Sequence, residues 1–396
     1  MHQADPLDMY CTVVEDGVID RLIDSLSSLV HLQHLSVRCL WQVDGTATEY
    51  TLRGFSDVTL PRLKHLTHLT LHGVNDRNLL QLQHLSSLSW LLLKSAGDTA
   101  VGPHSVPGMR FPASLQSLFL WSPAEAGLLS LFPPGLQALR VYNGVEGPGE
   151  VPSAILACLA RLQNLTELSL WPGYDLDWPP AGPIYAALTA SSCLAYLEVA
   201  AINWPESVWP HVVSAALPNL TCLKIASRDD EDDVLPMPLL GRSDFIRLVS
   251  CCPGLCEIQD LPLKPGWYVS LLSTLTALTC VDAYVGPDDV GHLGRCLTGF
   301  ADVTQLRSLW VILDSQAVKM ASMLPLTQLT NLTKLVWACT GEDDDDGDDE
   351  EEYAGGHPHM AFISSAEVSR LHACQQRAGC RCIGRLSSAS ATSILG

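Results

Sequence analysis

Leu159-Ala160-Arg161-Leu162-Gln163-Asn164-Leu165-Thr166-Glu167-Leu168-Ser169-Leu170 is the stretch on which the fold turns. Its leucines recur at steps of three, three, three and finally two. A step of two puts both leucines on one side of an extended strand, because successive side chains alternate in direction. The steps of three describe a turn that aims its leucines at the same side. A unit this short cannot bury five leucines alone. Copies stacked side by side can, and stacking also pairs the strand edges into a parallel sheet.

The phrase recurs along the chain. Clear copies are Leu63-Leu66-Leu69-Leu71, Leu217-Leu220-Leu223-Ile225 and Leu326-Leu329-Leu332-Leu335-Trp337. Weaker copies begin at Leu29, Leu85, Leu115, Leu136, Leu194, Leu255, Leu275 and Leu306. The first residues of the twelve closing pairs are Leu35, Leu69, Leu91, Leu118, Leu139, Leu168, Leu197, Leu223, Ile258, Val281, Leu309 and Leu335. Their spacing averages about 27 residues, inside the range of known solenoid repeats. The expected fold class is therefore α/β: a solenoid of about twelve repeats. A curved parallel sheet forms its concave face, with helices and loops on the convex face.

Between the strands, helical periodicity is visible in Ser153–Ala160, Val208–Ala216, Ser243–Ser250, Tyr268–Leu275, Val290–Phe300 and Ser315–Met323. Residues 1–28 read as an N-terminal cap: Val18, Ile19, Leu22, Ile23, Leu26 and Leu29 have helical spacing, with Glu15 and Asp16 at the start, where acids are favoured. The repeats occupy 29–338 and an acidic loop 339–360. Ser364 and Glu367 have capping-box spacing, so a closing helix is expected within 361–385. The Ser-rich tail, 386–396, is expected to be disordered.

Composition bounds the function. Hydrophobic residues make up 47% and charged residues 17%, too apolar for a disordered chain. No apolar run approaches the roughly 20 residues of a membrane helix, so no membrane insertion is expected. Fourteen cysteines without a secretory leader read as reduced thiols. The expected setting is cytoplasmic, with nuclear or axonemal and cytoskeletal settings as alternatives. Three Asn-Leu-Thr triplets, at Asn164, Asn219 and Asn331, fit the glycosylation pattern but sit inside the repeat, and we read them as repeat consensus. Net charge is −20, which argues against nucleic acid as partner. Half of that excess sits in Glu342–Glu352, where ten of eleven residues are acidic. Asp229–Asp233 adds five acids in a row. Such runs are solvated loops first; a further role open to the longer one is contact with basic proteins.

The repeat resembles that of the leucine-rich-repeat superfamily, over roughly residues 29–338. Such a resemblance implies a binding scaffold without cofactor. The usual Asn three residues after the second strand leucine is absent, that place being held by Leu40, Val74, Pro123, Gly144, Gly173, Ile202 and Arg228. The Asn ladder of the family is therefore not expected, and the array should be irregular. Cys252-Pro253-Gly254-Leu255 resembles the phrase of cysteine-containing repeats found in F-box substrate receptors, although no F-box precedes the repeats. An array followed by an acidic run is similar in layout to acidic nuclear phosphoproteins and to Ran GTPase-activating proteins; repeat number departs from the former, strand motifs from the latter.

The residue following each closing pair should point off the inner face. In order these are Arg38, His72, Lys94, Trp121, Tyr142, Trp171, Ala200 and Ala226. Three aromatics on consecutive strands, with Phe119 and Arg140 beside them, have the composition of a binding hot spot. The alternative is that a loop such as Trp178–Pro183 covers them. Trp310 and Tyr284 mark a smaller second patch. The six histidines from His31 to His84 fall on turns and strand surface, as a solvated face or a pH-sensitive contact. His372, Cys374, Cys380 and Cys382 fit no common zinc spacing; no metal is expected, and Cys251, Cys252 and Cys256 read as small buried hydrophobes. Walker, Gly-x-Ser-x-Gly and His-Glu-x-x-His motifs are absent. We therefore expect a scaffold binding a protein on its concave face, not an enzyme. Alternatives are a substrate receptor of a cullin ubiquitin ligase, or a regulator of a GTPase or other enzyme using Arg38 or Arg140.

Overall fold

The computed structural model describes residues 7–11, 29–39, 62–74, 76–95, 108, 110–121, 126–142, 151–171, 180–199, 208–213, 216–224, 242–262, 269–285, 293–313, 326, 328–339 and 359–363. The chain divides into two compact units: residues 1–220 with 227–240, and residues 221–226 with 241–396. Both acidic runs, the expected N-terminal helix and the Ser-rich tail lie outside the described residues.

The first unit is a ladder of parallel strands in chain order: β1 (Leu7–Cys11), β2 (His34–Cys39), β3 (His68–Val74), β4 (Trp90–Ser95), β5 (Ser117–Trp121), β6 (Ala138–Tyr142), β7 (Glu167–Leu170) and β8 (Tyr196–Val199). The second unit runs β9 (Cys222–Lys224), β10 (Glu257–Pro262), β11 (Cys280–Val285), β12 (Ser308–Leu313) and β13 (Lys334–Cys339) in parallel. It ends on β14 (His359–Ile363), antiparallel to β13. Every one of the twelve units marked by a closing pair is a strand. Within the first unit Leu35, Leu69, Leu91, Leu118, Leu139, Leu168 and Leu197 stand opposite one another in succession. In the second, Leu223, Ile258, Val281, Leu309 and Leu335 do the same.

The register follows from the turn. In Leu-x-x-Leu the second leucine's N–H donates to the first leucine's carbonyl, as from Leu66 to Leu63 at 3.0 Å and from Leu278 to Leu275 at 2.9 Å. The next two N–H groups then converge on one carbonyl of the preceding unit: Ser89 and Trp90 on Thr67, Thr166 and Glu167 on Gln137, Thr279 and Cys280 on Cys256. Each turn thus hands its strand to the neighbour at a fixed place. The leucines so placed are almost fully buried: Leu63, Leu66, Leu69, Leu85, Leu88 and Leu91 are all at 0% exposure.

A polar ladder does exist, on the entry turn rather than after the strand. Asn164, Asn219 and Asn331 donate through Nδ2 to the carbonyls of Pro134, Ser192 and Thr304 in the unit before, at 3.1, 2.9 and 2.7 Å. Thr67, Ser89, Thr166 and Thr333 donate their hydroxyls in the same direction. These bonds tie each entry turn to the one before it: the hydroxyls add to carbonyls that already accept the two strand-entry N–H groups, and the Asn amides reach a different carbonyl. The three Asn-Leu-Thr triplets therefore have a structural role in the repeat.

Helices pack behind the sheet: α1 (Asp76–Gln81), α2 (Ala126–Leu129), α3 (Val151–Leu159), α4 (Trp209–Val212), α5 (Arg242–Cys251) and α6 (Leu293–Phe300). Three-residue-per-turn helices span Leu82–His84, Pro183–Thr189 and Val269–Thr274. Four expected helical stretches appear at or near their predicted places. The one at Val208–Ala216 shrinks to a single turn, α4. The one at Tyr268–Leu275 is wound in the tighter form. The sixth, at Ser315–Met323, lies outside the described residues. Helices α1, α2 and Pro183–Thr189 were not anticipated; Pro183 opens the last of these at a position where its missing N–H costs nothing. Two strands were also unforeseen. β1 lies in the stretch read as a cap. β14 takes Ala361–Ile363, which the expected closing helix included; the rest of that helix lies outside the described residues.

Candidate functional site

Alternation along each strand buries the leucines and leaves the intervening residues on the opposite, open face. In the first unit that face carries three columns. Before the closing pair stand His34, His68, Trp90, Ser117, Ala138, Glu167 and Tyr196. Within it stand Ser36, Thr70, Leu92, Phe119, Arg140, Ser169 and Glu198. After it stand His72, Lys94, Trp121, Tyr142 and Trp171.

The predicted ladder is assembled. Lys94 Nζ lies 5.4 Å from the centre of the Trp121 ring. Trp121 and Tyr142 are 5.2 Å apart, Tyr142 and Trp171 5.9 Å, both pairs tilted. Trp171 follows β7 and stays in line because its N–H donates to the Val141 carbonyl at 2.8 Å. Trp121 is 44% exposed, an unusual state for a tryptophan in a stacked row. His72 stands opposite Lys94 in the register. Arg38 has its backbone in β2, but its side chain lies outside the described residues.

A second row runs diagonally into the first. His34 stacks on His68 at 4.2 Å, His68 on Trp90 at 6.0 Å, and Trp90 against Phe119 at 5.2 Å. Arg140 closes the row, its guanidinium 5.0 Å from the Phe119 centre. Arg140 is also paired with Glu167. Burial lowers its pKa, but the contacts with Glu167 and then Tyr142 outweigh that, so Arg140 sits above the usual arginine value. His68 is shifted the other way. Burial and then the neighbouring His34 push its pKa below the ordinary 6.5.

Trp90 and Glu167 are not among the expected site residues, and His34 and His68 enter the sequence reading only as members of the histidine run on turns and strand surface. The signal was present: the residue before a closing pair shares a face with the residue after it. The expected site takes in the column after the pair and, within it, Phe119 and Arg140, but not the column before it.

The face closes at its far end. Ser169 is at 0% exposure and Glu198 at 3%. The Glu198 carboxylate accepts from Ser169 Oγ at 2.6 Å and from Tyr196 Oη at 3.0 Å. The accessible part is therefore the stretch from β3 to β6, with Trp121 most open. Of the loop suggested as a cover, only residues 180–183 are described. The expected second patch is in the other unit: Lys334 Nζ lies 4.2 Å over Trp310, while Tyr284 stands on neighbouring β11. Cys252 is buried, its thiol pushed up to about 12 by burial and then by Cys251; Cys251 and Cys256 are half-buried. Among the described residues no three His, Cys, Asp or Glu side chains gather as a metal site would need.

The repeated turn, the mutual register of every closing pair within each unit, and the entry-turn ladder decide the fold together. The fold is a leucine-rich-repeat solenoid. No family model matches the chain, and no curated protein matches it. Solved structures similar to this leucine-rich-repeat chain include TLR13 in its complex with ssRNA13, at 14% identity and a TM-score of 0.44, covering 82% of this chain and 44% of that one. Another is a leucine-rich-repeat protein of Leptospira interrogans, at 16% identity and a TM-score of 0.36, covering 80% and 81%. Internalin C2 of Listeria monocytogenes follows at 14% and 0.19, covering 71% and 74%. The chain thus spans less than half the length of TLR13. No helix among the described residues is long and apolar enough to cross a membrane.

Proposed function

We propose that this leucine-rich-repeat protein is an interaction scaffold and that the open face of its first unit, from β3 to β6, binds a protein partner. The observation that carries this is the stacked row Trp121–Tyr142–Trp171 on consecutive units, with Trp121 at 44% exposure. Large rings held by one another and by Lys94 lose little freedom on binding, which removes a main cost of association. Each brings on the order of 150–250 Å² of surface and a polar edge. Seven described cysteines are free thiols, which supports a cytoplasmic setting for this scaffold. The reading as a GTPase regulator has less support, since Arg140 is engaged by Glu167, Tyr142 and Phe119 rather than free to reach a bound nucleotide.

Affinity capture with the wild-type chain and with Trp121, Tyr142 and Trp171 changed together to Ala tests the proposal. The triple variant is expected to lose its specific partner, since central aromatic hot spots cost about 2 kcal/mol or more each on truncation. An unchanged partner set from a variant with wild-type circular dichroism would remove the site from consideration.

A further inference from the structure

The charge on this same face identifies the chemistry of the partner; the inference rests on the binding role just proposed. Residues 29–142 carry eight Lys/Arg and six Asp/Glu, whereas the rest of the chain carries 15 and 37. Among the described side chains on the open face of β2 to β6 the ionisable ones are His34, His68, His72, Lys94 and Arg140, with Tyr142 beside them. Carboxylates border the face on both sides: Asp8 on β1 stands in register with Ser36, and beyond β6 come Glu167 on β7, which answers Arg140, and the buried Glu198 on β8. Lys94 rests over the Trp121 ring, and among the described residues no carboxylate pairs with it. On the turn entering β3, Lys64 and His65 are exposed, and His65 stacks on His31 at 5.6 Å.

In a protein of net charge −20, the described strands β2 to β6 carry cationic and imidazole side chains beside the aromatic row and no Asp or Glu. A basic segment arriving there would meet Lys94, Arg140 and the imidazoles, and like charges at an interface select against a partner. An acidic segment would be drawn in. We propose that the β2–β6 face receives an acidic polypeptide segment of another protein. Aromatic or apolar side chains of that segment lie on Phe119, Trp121 and Tyr142, and its carboxylates reach Lys94 and the Lys64 edge. An ammonium already lying on an indole has lost part of its water, which strengthens a carboxylate contact made on its free side.

Fluorescence anisotropy on the full chain tests this with a dye-labelled peptide of Glu, Phe and Pro, beside versions carrying Gln or Lys in place of Glu and a labelled oligo(dT). The Glu peptide is expected to bind about tenfold more tightly than the Gln peptide, and to weaken as NaCl is raised, because surface charges are screened. The double variant Lys64→Glu with Lys94→Glu should lose that preference and still bind the Gln peptide; the salt series on the wild type needs no variant to fold. Equal or tighter binding of the Gln peptide, the Lys peptide or oligo(dT) would overturn the acidic assignment. Deletion of residues 342–352 should leave Glu-peptide affinity unchanged; a tenfold gain would assign the face to the chain's own acidic run instead. Loss of every peptide in the Trp121, Tyr142 and Trp171 triple variant is the expected control. If that variant binds them all as well as wild type, it is the underlying site that fails, not the charge preference.

Discussion

His68 shows how one residue joins stability to binding. Its ring is sandwiched between His34 at 4.2 Å and Trp90 at 6.0 Å, and its Nδ1 lies 2.9 Å from Thr67 Oγ1. Burial and the His34 neighbour lower its pKa in the folded chain. The unfolded chain, with the ordinary value of 6.5, therefore binds the proton more readily. Stability from this group is fully present above about pH 6.5 and is lost as pH falls through that value toward the folded pKa. Thermal melts at about pH 7.5 and about pH 5.5 should show a lower midpoint at the acid end. In His68→Gln the drop should be smaller; an identical drop would mean that other groups carry it. The same residue shows what sequence reading missed. His68 precedes Leu69 as Trp90 precedes Leu91, and period-two alternation puts both beside the residues that were picked. What alternation cannot provide is the diagonal stack. That depends on rings from adjacent units meeting at 4–6 Å, a distance set by strand pairing.

Among elements, α6 has the firmest packing constraint. Gly299 lies in this helix, and a Cβ there would come within 2.7 Å of Val269 Cβ and 3.1 Å of its Cγ1. Alanine ordinarily gains about 1 kcal/mol over glycine inside a helix. Forcing a methyl against the branch point of a β-branched neighbour costs about 1–3 kcal/mol, because Val269 cannot rotate its Cβ away. The clash should win. Urea unfolding of Gly299→Ala is expected to give a lower midpoint at unchanged slope, and a higher midpoint would show that Val269–Thr274 yields freely. The hydrophobic pattern makes the helix at residues 293–300 legible, but the glycine's purpose lies in a segment about thirty residues away in sequence. Elements without a leucine signature were the ones missed. Helix α2 is four residues long, too short for periodicity to register. Strands β1 and β14 lack the Leu-x-x-Leu entry, and their places in the sheet come from backbone pairing alone.

At the scale of the whole molecule, stability should be local, since each repeat touches mainly its neighbours. Leu139 sits in β6 at 2% exposure beside Val141, Ile155 and Leu170. Leu139→Ala should cost about 2–5 kcal/mol. Hydrogen exchange should quicken in β5, β6 and β7, while β2 and β3 keep their protection; uniform loss over β2–β7 would mean that the first unit opens all at once. The sequence by itself determined that leucines at steps of three and two build stacked turns and strands, which strands pair, and where each pairs. Its signal is strong because burial of one leucine per step leaves no alternative register: a shift of one residue would turn the whole set to water. It also placed Trp121, Tyr142 and Trp171 on one face. Tertiary structure alone decided which of that face remains open. Ser169 and Glu198 occupy the same columns as Phe119 and Arg140, yet are buried. Accessibility depends on everything that packs over a position, and no repeat encodes that. Tertiary structure likewise joined the histidines to the aromatic row and left β2 to β6 free of carboxylates among the described side chains, because side chains from different repeats become neighbours only once the strands have paired.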